Sequence, residues 1–256
     1  MEKWKIAVIA ALLLGLLGFG IVQQNTDKQL VNPAATPLGT PASSVYIGKT
    51  LPAWNFKTWN SAPVPLASLR GKAALVEVFR TECPHCQDAA PFMVALHKRY
   101  GPRGFKIVSI QSPGDFKDAQ NPENNWKYVQ SWLKRYAITS PVAFDAGSKY
   151  FQGAIKNQVL KGDETKVLYP TILLLEPSGK VGFAQTGHDT TKAIALAVEL
   201  EKRFPTSTSA AKNGAGLAQW LTAQLPELQA DKTLSKALGD DIAQRLKKKS
   251  PQKSQT

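Results

Sequence analysis

The rhythm of apolar and polar positions changes several times along the chain. Ala73-Ala-Leu-Val-Glu-Val-Phe79 is a nearly continuous apolar run, which predicts a strand buried on both faces. From Pro84 to Tyr100 the apolar positions move to helical spacing and stop at Gly101-Pro102, predicting a helix. Phe105 to Ile110 predicts a second strand, Asn124 to Tyr136 a second helix, Val142 to Phe144 a short extended piece, and Ser148 to Val159 a further helix. Thr171 to Leu175 and Val181 to Ala184 flank Pro177-Ser-Gly179 and predict a hairpin. Thr190 to Arg203 has apolar residues at helical spacing and closes the domain. Strands alternating with helices predict an α/β fold, a sheet covered by helices on both faces.

Both ends depart from this pattern. Ile6 to Val22 is apolar apart from Gly15, Gly18 and Gly20, and follows Lys3 and Lys5. As a helix it would span about 25 Å, near the lower limit for a membrane crossing. Trp4 suits the interface and the two lysines precede the run, so the remainder is expected outside the cytoplasm, in a periplasm or at the cell exterior. A cleaved signal peptide is the competing reading, but no Ala-x-Ala closes the run. Residues 1–22 are therefore expected to be a single-pass membrane anchor. Residues 23–44, with Pro33, Pro37 and Pro41, are expected to be a tether, and residues 45–204 the folded domain. In 205–256, Leu217, Trp220, Leu221 and Leu225 make one helical stripe. Leu234, Leu238, Ile242 and Leu246 make another, and two amphipathic helices docked on the domain or on each other are expected. Arg245, Lys247, Lys248, Lys249 and Lys253 read as a basic tail without an acid.

Composition narrows the classes further. Lys plus Arg number 32 against 19 Asp plus Glu in 256 residues, a formal charge of +13 that attracts anionic surfaces without naming one. An extracytoplasmic placement disfavours nucleic acid as the partner. Two cysteines rule out both a disulfide-stapled scaffold and a four-cysteine zinc site.

Both cysteines fall in Cys83-Pro84-His85-Cys86, between the first strand and the first helix. That spacing lets Cys83 face solvent while Cys86 lies inward, and lets a disulfide close between them. Unpaired N–H groups and the helix dipole stabilise a thiolate at Cys83, and His85 lowers its pKa further. The expected chemistry is thiol–disulfide exchange through a mixed disulfide. Glu77, inside an apolar strand, is expensive unless it has a partner or a task. It is expected to carry a raised pKa and to move the proton of Cys86, an ion pair with Lys72 or Lys106 being the alternative. His188, with Cys83 and Cys86, offers a soft donor set for copper, so a copper chaperone is the competing function. A peroxidase is disfavoured by the close second cysteine and the missing Pro-x-x-x-Thr pattern before Cys83.

Three stretches carry a family resemblance: Ile47-Gly-Lys-Thr-Leu-Pro-Ala-Trp-Asn-Phe56, Pro65-Leu-Ala-Ser-Leu-Arg-Gly-Lys72 with the strand and CxxC, and Tyr169-Pro170-Thr171 through Lys180. Together they resemble the thioredoxin superfamily, most like its membrane-anchored TlpA/ResA-like branch, over roughly residues 46–204. The resemblance implies a thioredoxin fold with a central mixed sheet and a βα insertion before a cis-proline, here between an anchor and a helical extension. It implies Cys83 as attacking and Cys86 as resolving cysteine, with Pro84 and His85 tuning them and Pro91 kinking the helix. Pro170 would be the cis-proline, with Tyr169 and Thr171 binding an extended substrate. It further implies exported protein thiols or disulfides as substrates, a membrane redox partner, a role like that in cytochrome c maturation, and no cofactor or metal. Two departures stand out. Glu82 replaces a common Trp and is expected to oppose ionisation of Cys83, and the Pro-His dipeptide resembles that of strong disulfide oxidases.

Overall fold

A computed structural model describes residues 44–205, 209–229 and 232–248. The stretch read as an anchor lies outside them, as do nearly all of the tether and the tail lysines Lys249 and Lys253. Among the described residues no helix is long and apolar enough to cross a membrane.

The described strands are β1 (Thr58–Trp59), β2 (Ala74–Phe79), β3 (Lys106–Gln111), β4 (Val142–Phe144), β5 (Thr171–Leu175) and β6 (Val181–Thr186). They form one mixed sheet in the order β1-β4-β3-β2-β5-β6. β2, β3 and β4 run parallel, whereas β1, β5 and β6 join antiparallel. The main helices are α1 (Pro84–Tyr100), α2 (Trp126–Arg135), α3 (Thr190–Arg203), α4 (Ala210–Gln224) and α5 (Lys232–Lys247).

All six residues of β2 are buried, which places this strand at the centre of the sheet. The period of two then sorts its side chains. Leu75, with Ile107, Ile172 and Leu174, joins a core with α1 and α3. Val76 and Val78, with Val108, Ile110, Leu173 and Leu175, face the opposite layer. That second layer is roofed by Tyr46 and Leu51 and by a π-helical stretch, Lys149–Ile155. The expected helix over 148–159 is thus mostly of this wider form. Its buried residues Tyr150, Phe151 and Ile155 recur at four to five positions, which suits a π turn better than an α turn.

The strands, α1 and α3 match the expected elements to within two residues. Residues 122–124 form a separate 3-10 turn, and α2 starts only at Trp126 because Asn125 caps it, accepting from the Lys127 N–H at 3.0 Å. β1, absent from the sequence expectations, pairs only two residues with β4 and has no run long enough to show alternation.

The terminal helices are part of the same core. Leu217 and Leu221 of α4, Leu225 at its C-cap, and Leu238 and Ile242 of α5 cluster with Phe92 and Leu96 of α1 and Val198 of α3. The Trp220 ring lies 5.7 Å from Phe92 and 5.0 Å from the Arg99 guanidinium. The basic end is not free of acids: Arg245 Nε pairs with Asp241 Oδ2 at 2.7 Å within α5, so Arg245 belongs to a helix-surface ion pair.

Candidate active site

β2 ends at Phe79, three residues lead outward, and Cys83 caps α1. Its backbone is extended (φ −88°, ψ 119°), and its carbonyl accepts from the N–H groups of Cys86 and Gln87, both at 3.0 Å. Pro84 occupies the first helical turn, where a missing N–H costs nothing. Pro91 lies inside the helix and removes one i→i−4 bond. Among the described residues both cysteines are free thiols, Cys83 half-buried and Cys86 buried.

The environment divides the pair. Hydrogen bonding from the Cys86 thiol, then from the N–H groups of Cys86 and His85, and the charge of His85 outweigh partial burial and lower Cys83 to about 6. Burial, with Cys83 as a neighbouring acceptor of its proton, pushes the Cys86 thiol far up. The Arg80 N–H points at Cys86 Sγ at 3.5 Å and partly offsets that rise.

Glu77 sits on the α1 side of β2, opposite Ser109 of β3 in register. Its partner is the Ser109 hydroxyl, which donates to Oε2 at 2.7 Å, rather than Lys72 or Lys106. Burial raises the carboxyl from 4.5 to about 7, against the opposing pull of Ser109. Glu77 and Ser109 line a cavity of about 10 Å³ with Phe79, Ala90, Met93 and Trp132, close to the volume one water requires. The negative charge of Glu77 is the smallest of the influences that raise Cys86.

Tyr169–Pro170 is a cis peptide bond. The Tyr169 carbonyl, expected to be free for substrate, lies 3.7 Å from Cys83 Sγ and accepts from its thiol. The Thr171 side chain, expected to bind substrate, is turned into the fold. It is fully buried in β5 and its hydroxyl donates to the Leu168 carbonyl at 2.6 Å, because the first strand residue after the turn points into the sheet. Glu82 is exposed, but its carboxylate accepts from the Tyr128 hydroxyl of α2, and the influences on Cys83 come instead from Cys86 and His85. His85 and Pro84 are exposed beside Cys83.

The copper donor set is not assembled. His188 packs against Phe92, ring centroids 5.7 Å apart, and burial lowers its pKa. Among the described residues no three His, Cys, Asp or Glu side chains gather at metal-binding distance. The reason is positional: His188 precedes α3, while Phe92 lies more than two turns along α1 from Cys83.

α2 covers the pair. Trp132 stacks on Phe79 at 5.1 Å, and Val129, Trp132 and Leu133 share a cluster with Phe79, Cys86 and Ala90. Sequence reasoning missed Ser109, Arg80 and Tyr128, since a lone Ser in a strand or a Tyr on a helix has many ordinary uses. Only the position of Arg80, three residues before Cys83, was a signal.

A match to the Redoxin family runs over residues 47–198, more than half of the chain. The chain belongs to the Redoxin family. Among its curated relatives, a thiol-disulfide oxidoreductase ResA of Bacillus cereus is 25% identical over 175 residues, covering 68% of this chain and 82% of that protein. Protein DipZ of Mycobacterium tuberculosis is 28% identical over 97 residues, 38% of this chain but 13% of that protein. A solved structure of a thiol-disulfide isomerase from Corynebacterium glutamicum is 20% identical, with TM-score 0.48 over 62% of this chain and 98% of that one. This Redoxin-family chain is an oxidoreductase, similar over about two thirds of its length to thiol-disulfide oxidoreductases named ResA.

Proposed function

We propose that this ResA-like protein reduces disulfides in exported proteins outside the cytoplasm, held to a membrane by residues 6–22. The Cys83 thiolate attacks a substrate disulfide, forming a mixed disulfide and releasing one substrate thiolate. Cys86 then loses its proton and attacks Cys83 Sγ, which frees the second substrate thiol and leaves a Cys83–Cys86 disulfide. Two electrons pass to the substrate, and a membrane redox partner restores the dithiol. Because the Cys86 proton is held tightly, the second step needs a base. Glu77, raised to about 7, has the basicity to take that proton near neutral pH, and the cavity of about 10 Å³ beside it is close to the volume of one water.

The reductive direction is supported by the modest lowering of Cys83, to about 6. Attacking thiols of strong disulfide oxidants ionise near ~3.5 and that of thioredoxin near ~7. The gap to the oxidants corresponds to about 3 kcal/mol of thiolate stabilisation, or about 70 mV. On this reading the Pro-His dipeptide, which favours the oxidative direction, is outweighed by the rest of the domain. Keeping target cysteines reduced, as in cytochrome c maturation, is the role this direction serves.

Trapping in an exporting host tests the scheme. Cys86→Ser should accumulate mixed disulfides through Cys83, sensitive to reductant, while Cys83→Ser accumulates none. Equal absence of adducts in both variants, with both folded, would contradict it.

A further inference from the structure

The insertion between β3 and α2 carries a carboxylate with no solvent exposure. Glu123 lies in the 3-10 turn Pro122–Asn124, and its N–H donates to the Asn121 side chain at 3.0 Å. Its Oε2 accepts from Arg80 Nε at 3.0 Å and from the Gly114 N–H at 3.1 Å. Its Oε1 accepts from the Thr81 hydroxyl at 3.3 Å and the Glu82 N–H at 3.1 Å. Three of these four donors come from residues 80–82, the segment that ends at Cys83. A buried carboxylate persists only where its lone pairs are satisfied, and a network this complete is stiff. From the other side, Gln87 Nε2 of α1 donates to the Thr81 carbonyl at 2.8 Å.

That segment delivers groups to both cysteines. The Arg80 N–H reaches Cys86 Sγ at 3.5 Å. The Arg80 guanidinium lies 5.6 Å from the ring centre of Tyr169, whose carbonyl faces Cys83 Sγ. None of these contacts is encoded by the CxxC motif itself.

We propose that Glu123 is a positioning residue for the dithiol: its buried carboxylate fixes residues 80–82 so that the Arg80 N–H stays on Cys86 and the Arg80 side chain on Tyr169. The role rests on the exchange reading above. Cys86 receives a hydrogen bond from Arg80 while donating one to Cys83, and linked hydrogen bonds polarise each other, so loosening the segment weakens the donor that stabilises the Cys83 thiolate.

The test uses the full chain with Glu123→Gln, whose amide puts a donor against one of the two donor pairs. The readouts are the pH profile of iodoacetamide reaction at Cys83, the Cys83–Cys86 equilibrium with glutathione, and thermal melting. Glu123→Gln should raise the alkylation midpoint by about 0.5 to 1 pH unit, the range of one lost hydrogen bond, and so slow alkylation at pH 5 about threefold to tenfold. The glutathione equilibrium should move by a similar factor. Arg80→Met should shift both readouts in the same direction by less. A folded Glu123→Gln protein with a lower melting temperature but both thiol readouts unchanged overturns the proposal, leaving Glu123 a purely structural residue. If Glu123→Gln does not fold, unchanged readouts in Arg80→Met overturn it equally. A wild-type protein that forms no disulfide with glutathione refutes the exchange reading first and this role with it.

Discussion

Two cysteines three positions apart ionise on opposite sides of the ordinary thiol range because one caps a helix and the other fills the core behind it. Cys83 gathers donors and falls to about 6, while Cys86 loses water and rises. Glu77 is the third member of this set, and its burial has a consequence for stability. Below pH 4.5 both folded and unfolded chains hold its proton. Between 4.5 and about 7 the unfolded chain ionises while the folded one does not, so stability falls as pH rises. Above 7 the loss is complete, at about 3 kcal/mol. Glu77→Gln should therefore be more stable than wild type in urea unfolding at pH 8, with the gap closing by pH 4.5, and should resolve mixed disulfides more slowly. A gap that is the same at both pH values would remove the buried, titrating carboxyl from the account. A residue that lowers stability where it serves chemistry is the pattern expected of an active-site group.

At the scale of elements, α4 and α5 cross where side chains are smallest. A Cβ on Gly214 would stand 2.6 Å from the Gly239 carbonyl and 2.8 Å from Ala243 Cβ. On helix propensity alone, Gly214→Ala would gain about 1 kcal/mol. Here the contact is with backbone, so the variant should instead lose about 1–3 kcal/mol by overpacking. Differential scanning calorimetry decides it, and a raised melting temperature would mean that the crossing is looser than described. The elements legible in advance were those whose pattern is local. β2 is one continuous apolar run, α1 is bounded by Cys83 and Gly101, and α3 is capped by Asp189, which accepts from the Lys192 N–H. β1 was illegible because a two-residue edge strand is defined by Phe144 and Ala143 across from it, not by its own sequence. Glu123 was illegible for a related reason. Asn121-Pro-Glu-Asn-Asn125 reads as a solvated turn, and only the fold brings Arg80 and Thr81 over it. The burial of Thr171 was illegible as well, since proximity to Pro170 in sequence does not say which way a strand residue points.

Across the whole molecule, one central strand organises the chemistry. β2 carries Glu77 on its α1 face and ends in the loop that leads to Cys83, and β5 beside it begins at the cis-proline. The sheet therefore brings the Glu77 carboxyl, the dithiol and the Tyr169 carbonyl together from segments nearly a hundred residues apart. Leu217, Leu221 and Ile242 of the helical extension pack on α1 and α3. The central claim is that Cys83 alone is ionised and reachable near neutral pH. It is tested most directly by the pH dependence of iodoacetamide alkylation in the reduced protein, with the modified site read by mass spectrometry. Modification is expected at Cys83 with a midpoint near 6, Cys86 remaining protected. A midpoint near the ordinary thiol value of about 8.5, or equal modification of both cysteines, would contradict it.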